Sequence, residues 1–189
     1  MRNLVGALTM MFLLAAPIAA FAAGGKFKVT SPDFVNGGII KVAQVFNHFG
    51  CTGGDQSPAL QWSGAPTGTK SFAVTIYDPD APTGSGWWHW SVFNIPATVT
   101  SLPLNAGAVN STTLPAGAVQ GRTDFGASNY GGPCPPVGDK PHHYHVTVYA
   151  LKIDKLPLDA SASGAMVGYY LHFNSIAKAR MTGRYGRPK

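Results

Sequence analysis

The sequence predicts a mainly β protein, an antiparallel β-sandwich with peripheral C-terminal helices. Three observations carry that expectation. Apolar residues alternate with period two in several short stretches, the signature of a half-buried strand. The 23 Gly and 15 Pro make up 38 of 189 residues, which favours turns over long helices. All eight acids are Asp and charged residues are only 12%, so few residues suit exposed helix faces. The 45% apolar content and the length fit one packed domain.

The first 22 residues read as a signal peptide. Arg2 supplies the positive charge, an apolar stretch follows from residue 4 to 18, and Ala20-Phe21-Ala22 fits a small-x-small cleavage site. That stretch is short for a membrane span. A mature domain over 23–189, periplasmic or secreted, is expected, with no integral membrane segment. Loss of Arg2 lowers the formal net charge from +6 to +5. Five of the remaining basic residues crowd the end: Lys178, Arg180, Arg184, Arg187 and Lys189. They read either as a contact for anionic lipid or polymer, or as a solvated basic helix end.

Strands are expected at residues 27–30 and 39–46, then a Gly- and Pro-rich loop at 50–58, a brief strand at 60–62 and a turn at 64–69. Ser71–Asp78 is the clearest strand. Phe72, Val74, Ile76 and Asp78 share one face, which leaves a carboxylate at the end of an apolar row. Residues 89–95 follow, with His89, Ser91, Phe93 and Ile95 on one face by strict alternation. Residues 96–132 read mostly as loop, with a short strand near 118–120. In His142–Leu151, His142, Tyr144, Val146, Val148 and Ala150 share a face. Residues 161–185 are the helical candidate, with Met166, Tyr169, Tyr170, Phe173, Ile176 and Ala177 at helical spacing and a break near Asn174. Asp159 or Ser161 is the expected cap.

In an exported chain, Cys51 and Cys134 read as a disulfide. Closing a loop of about 80 residues would contribute roughly 4 kcal/mol in the chain-entropy model, an upper figure. Two buried free thiols are the alternative.

Three segments carry the candidate chemistry: Asp78-Pro79-Asp80-Ala81-Pro82, Trp87-Trp88-His89-Trp90, and Gly132-Pro133-Cys134-Pro135-Pro136 followed by His142-His143-Tyr144. Each falls at a strand end, where sandwich loops gather. Converging, they would make a polar pocket with aromatic walls, suited to a small anion. Histidines can donate to its oxygens, and Gly131-Gly132 could offer backbone N–H groups. Asp78 would orient a histidine or accept from a ligand hydroxyl or amine. A metal site is disfavoured because alternation turns His143 and His145 away from His142. Catalysis is not expected: there is no Gly-x-Ser-x-Gly elbow, and the cysteines are expected to be paired. Nothing alternates basic and aromatic residues in the manner of nucleic-acid binding.

These segments, in this order and spacing, resemble the two signature regions of the phosphatidylethanolamine-binding protein (PEBP) family, and more narrowly its bacterial Raf kinase inhibitor-like branch. The likeness runs from about residue 27 to the C-terminal helix. It implies a β-sandwich with a small surface cavity for phosphate-like anions and phospholipid headgroups. By position, Asp78, Trp87, His89, Gly132, Pro135, His142 and Tyr144 would line that cavity. Cys134 departs from the Gly common in eukaryotic members, and the tail is short and basic. The expectation is a non-enzymatic, cofactor-free binding protein. The alternative, on resemblance alone, is an inhibitor of a protease or signalling partner, acting through the pocket rim and residues 96–132.

Overall fold

The structure is a computed structural model that describes residues 25–189. The expected signal peptide lies outside the described residues. Eight strands form two antiparallel sheets. The small sheet has the order β1-β2-β5, from Lys28–Thr30, Leu60–Ser63 and Ser101–Leu102. The large sheet has the order β6-β4-β3-β7-β8, from Val119–Gln120, Trp87–Pro96, Ser71–Asp78, His142–Leu151 and Ser175–Tyr185. One helix, α1, spans Gly164–Asn174.

The core lies between the sheets. Val29, Leu60, Trp62 and Leu102 of the small sheet meet Phe72, Val74, Ile76, Trp90, Val92, Tyr144, Val146 and Val148 of the large one. This is the period-two inward row of β3 and β7, as the alternation predicts. The far face of the large sheet is covered in part by α1. Val167 and Leu171 pack there on Ala73, Phe93 and Leu151.

Four expectations are corrected. Residues 39–46 do not form a strand: Ile39 makes one isolated bridge to Arg184, and Val42–Gln44 is a single 3-10 turn. The helix stops at Asn174, where the break was expected, but the chain does not resume it. Asn174 and Ser175 side chains donate to the carbonyls of Tyr170 and Leu171, which satisfies groups the helix end would leave open. Residues 175–185 then run as the edge strand β8. Ala177, Ala179, Met181 and Tyr185 face the core while Lys178, Arg180 and Arg184 are exposed. Two residues of the period-3.6 row, Ile176 and Ala177, thus belong to a strand. Within the helix only Tyr170 of the expected row packs inward. Met166, Tyr169 and Phe173 point outward, and α1 buries Gly164, Val167 and Leu171 instead. Gly164 is required there, since a Cβ would sit 2.2 Å from the Trp88 ring. The cap is Ser163, whose Oγ accepts from Met166 N at 3.2 Å, not Asp159 or Ser161.

The fourth correction concerns β4. Its faces do not alternate strictly, because two register shifts interrupt its pairing with β3. Ile76 pairs with Trp90 and Tyr77 with Trp88, so His89 is the extra residue of a bulge. The second shift lies between Val74↔Val92 and Phe72↔Ile95. Trp90, Val92 and Ile95 therefore point to the main core, and Phe93 to the helix side.

Candidate functional site

The site forms where β3 ends, β4 begins and β7 begins. A cavity of about 210 Å3 opens there. Asp78, Trp87, His89, Pro135, His142 and Tyr144 line it, with Phe49, Ala81, Pro82, Thr83, Phe125, Cys134 and Pro136. Larger grooves exist; one of about 420 Å3 lies on the outer face of the small sheet among Lys28, Thr30, Gln61 and Ser63. Lys28 is the one titratable group in its lining, whereas the smaller cavity gathers Asp78, His89 and His142.

Asp78 closes the apolar row of β3 and is buried, as its position predicts. Its Oδ1 accepts from Asp80 N at 2.8 Å, and its Oδ2 accepts from His142 Nδ1 at 2.8 Å. The other ring nitrogen, His142 Nε2, faces Asp139 Oδ2 at 3.5 Å. The bulge in β4 brings His89 to the cavity, a common use of an extra strand residue beside a site. Its Nδ1 donates to the Gly131 carbonyl at 2.7 Å, since a carbonyl can only accept. Burial lowers the His89 pKa below the ordinary histidine value, against the opposing pull of the Gly131 carbonyl and the Asp78 charge. The neutral ring keeps its proton on Nδ1 and a lone pair on Nε2.

Tyr144 is 1% exposed and its hydroxyl lies beside the Asp78 carboxylate without making a well-formed hydrogen bond. Burial, then the nearby Asp78 charge, push its pKa up, so it stays a neutral phenol. Trp87 Nε1 is likewise buried and unpartnered. Two residues that line the cavity thus each carry a buried donor without a well-formed hydrogen bond. An orphaned buried donor costs about 1–3 kcal/mol, which a bound acceptor would recover.

The walls are aromatic. Phe125 stands edge-on to Trp87 at 5.4 Å and to His89 at 5.3 Å, and Phe46 backs it at 4.3 Å. Phe49, 70% exposed, sits at the mouth.

Gly132 is the one expected residue that does not line the cavity. Its N–H donates to Asp55 Oδ1 at 2.7 Å, and Gly131 N–H donates to the His89 carbonyl at 3.0 Å. Neither amide is free for an anion. Gly132 is needed for space: a Cβ would lie 2.1 Å from the Gln44 carbonyl oxygen. Burial raises the Asp55 pKa to about 6, against the lowering effect of the Gly132 amide and His48.

The Cys51–Cys134 disulfide is present, closing a separation of 83 residues. It ties the Phe49 loop to the Pro135 loop. Arg187 adds a parallel tie, donating to Gly50 O at 2.7 Å and Pro135 O at 3.3 Å. Asp55, Asp139, Phe49, Phe125 and Arg187 were not anticipated. All but Arg187 lie in irregular segments with no period to reveal a face, and Arg187 read only as one of a basic cluster.

Fold and site together define a β-sandwich protein with one small, aromatic-walled cleft holding a buried Asp–His pair. A family model, phosphatidylethanolamine-binding protein, matches residues 30–186. The chain belongs to the phosphatidylethanolamine-binding protein family. It is 57% identical over 180 residues to the UPF0098 protein YbcL of Escherichia coli K12, covering 93% of this chain and 98% of that one. The crystal structure of E. coli YbcL, described as a new member of the mammalian PEBP family, superposes with a TM-score of 0.84 at 60% identity. That match covers 86% of this chain and 99% of the other. A putative lipoprotein of Mycobacterium tuberculosis, LppC, is 32% identical over 157 residues, covering 83% of this chain and 71% of its own.

Proposed function

We propose that this chain is an exported, non-enzymatic binding protein whose cleft takes a phosphate-like anion or a phospholipid headgroup. The observation that carries the reading is the pair of buried donors without a well-formed hydrogen bond, Tyr144 O–H and Trp87 Nε1–H, on residues that line one cavity with His89 and the His142–Asp78 pair. The cavity volume suits a headgroup, not an acyl chain. The anion would sit against Tyr144, Trp87, His89 and His142, without help from the Gly131-Gly132 amides. The cleft offers no cysteine or serine nucleophile: its one cysteine is bridged and no serine lines it. Export is supported by the disulfide and by the likeness to a putative lipoprotein. Among the described residues no helix is long and apolar enough to cross a membrane.

The test is titration of the exported product with phosphate and with phosphoethanolamine, read by Trp fluorescence and histidine NMR shifts. The His89→Ala, His142→Ala double variant runs beside it. Saturable binding lost in a folded double variant supports the reading; absence of binding to the folded wild type overturns it. The second reading, contact with a protease or signalling partner, is favoured by the exposed Phe49 and Val137 at the rim. A Phe49→Ser, Val137→Ser variant should lose partner inhibition and keep phosphate binding if the rim alone acts.

A further inference from the structure

The large sheet has a second distinctive face, opposite the cleft side chains. On α1 the outward residues are Met166, Tyr169 and Phe173, and Ile176 follows directly at the start of β8; they are 48, 61, 55 and 42% exposed. A lone surface helix normally turns such residues inward. Here the inward side is already filled by Gly164, Val167 and Leu171, so the apolar ridge is surplus to the fold.

The neighbouring strand supplies charge. Lys178, Arg180 and Arg184 alternate along β8 and are all exposed. Lys178 pairs with Tyr149 and Arg180 with Thr147. Tyr149 packs in the cluster under α1, so the cations rise on the same side of the sheet as the helix. Their spacing along a strand is about 7 Å for alternate residues. Arg180 Nε donates to Thr147 Oγ1 and Arg184 Nε to the Gly37 carbonyl, which holds both side chains in place. No carboxylate pairs with them: among the described residues the ion pairs are three His–Asp contacts. The connection from β7 to α1 carries Asp154 and Asp159. Asp159 accepts from Ser161, and neither pairs with a cation.

We infer that this face is a docking surface for an anionic lipid bilayer, with the Met166–Tyr169–Phe173–Ile176 ridge entering the headgroup region and the β8 cations meeting lipid phosphates. Aromatic and apolar residues beside fixed cations are the composition of an interfacial element. Each cation at an anionic surface is worth about fivefold in partitioning. Charge also decides against a second copy as the occupant. A two-fold contact through this face sets the same patch against itself, bringing together two basic rows of three cations each, with Asp80 beside His143 at one end already engaged by that histidine.

The full chain is expressed and its exported product purified, then sedimented with vesicles of phosphatidylcholine alone or with one quarter phosphatidylglycerol. Binding is expected only to the anionic vesicles, and is expected to weaken as salt rises. Lys178→Ser with Arg180→Ser should lower partitioning about 25-fold. Tyr169→Ser with Phe173→Ser, both exposed and therefore mild for folding, should lower it about tenfold or more. Loss of vesicle binding in the His89→Ala, His142→Ala variant, with binding retained by the Lys178→Ser, Arg180→Ser variant, would place the contact at the cleft and overturn the inference. Equal binding to neutral vesicles overturns the inference, as does no binding at low salt. Retention of binding by both surface variants overturns it too. So does a dimer at working concentration that the Phe173→Ser change dissociates.

Discussion

Two Asp–His pairs stand side by side where β3 ends and β7 begins, built from neighbouring histidines of β7 with the last residue of β3 and a residue of the loop after it, and they differ most in which way they point. Asp78 and His142 meet at 2.8 Å; Asp80 and His143 meet at 2.7 Å. The side chains of the first pair are 4 and 5% exposed, those of the second 42 and 50%. Strand alternation is the cause: one step along β7 carries the side chain from the inner face to the outer. Distance alone would rank the pairs equal. Burial ranks them far apart, because water screens the outer pair and competes for its hydrogen bonds, while the inner pair has replaced water altogether. The inner pair also borders the cleft, so its geometry sets what the cleft can hold. The outer pair fastens the 79–82 loop to the start of β7.

The largest way to break the comparison is Asp78→Ala. It removes the acceptor of His142 and of the Asp80 amide together and leaves a buried imidazole without its partner. Removing one member of a buried pair costs about 3–5 kcal/mol. Urea unfolding should show a loss in that range, with an unchanged denaturant slope. A loss under 1 kcal/mol would mean that the pair is held for the ligand and contributes little to the fold.

The inner pair was legible in the sequence because a polar residue at the end of an apolar alternating row has few places to go. The same rule placed His142 and Tyr144 and identified most of the core of β3 and β7. It failed in β4, where the bulge at His89 breaks the count; alternation cannot register an inserted residue. It failed again after Asn174. There Met166 through Ala177 fits a helical period, yet Ala177, Ala179, Met181 and Tyr185 also fit period two, and packing on β7 chose the strand. Asp55 stayed hidden because it lies in an irregular loop at a left-handed φ of 50°, and its role depends on a contact 77 residues away.

His89 sharpens the comparison as a buried histidine with no carboxylate partner. Its lowered pKa means that a bound anion must draw a proton onto it. Sulfate, which does not itself titrate near neutrality, should therefore bind more tightly as pH falls from 7 toward 5. The limit for one proton is tenfold per pH unit. Isothermal titration at several pH values measures this, and His89→Ala should flatten the profile. A pH-independent affinity in the wild type would remove His89 from the anion site.

Asp55 gives the opposite sign from an ordinary paired carboxylate. Its folded pKa, about 6, lies above the unfolded value of 3.8. The folded state therefore binds more protons between pH 4 and 6, and this group's contribution to stability grows as pH falls through that window. Asp55→Asn removes that contribution. The variant's stability, followed by urea unfolding from pH 7 to 4, should rise less on acidification than that of the wild type. Identical profiles would mean that Asp55 titrates normally in the fold.

The smallest effect belongs to the exposed pair. His143→Ala deletes a contact that water already shares, so the expected loss is under 1 kcal/mol. The backbone bond from residue 143 N to Asp80 Oδ2 survives the change, which reduces the cost further. Partial burial raises the Asp80 pKa, but the His143 hydrogen bonds outweigh it and hold the carboxyl below its ordinary value. That contribution is present above pH 4 and lost as pH falls below it. Added salt should shrink the His143→Ala difference, since both side chains stand in water. The same salt should leave the Asp78→Ala loss nearly intact, since ions do not reach between Asp78 and His142. Equal salt sensitivity in the two variants would show that solvent reaches the inner pair as well as the outer.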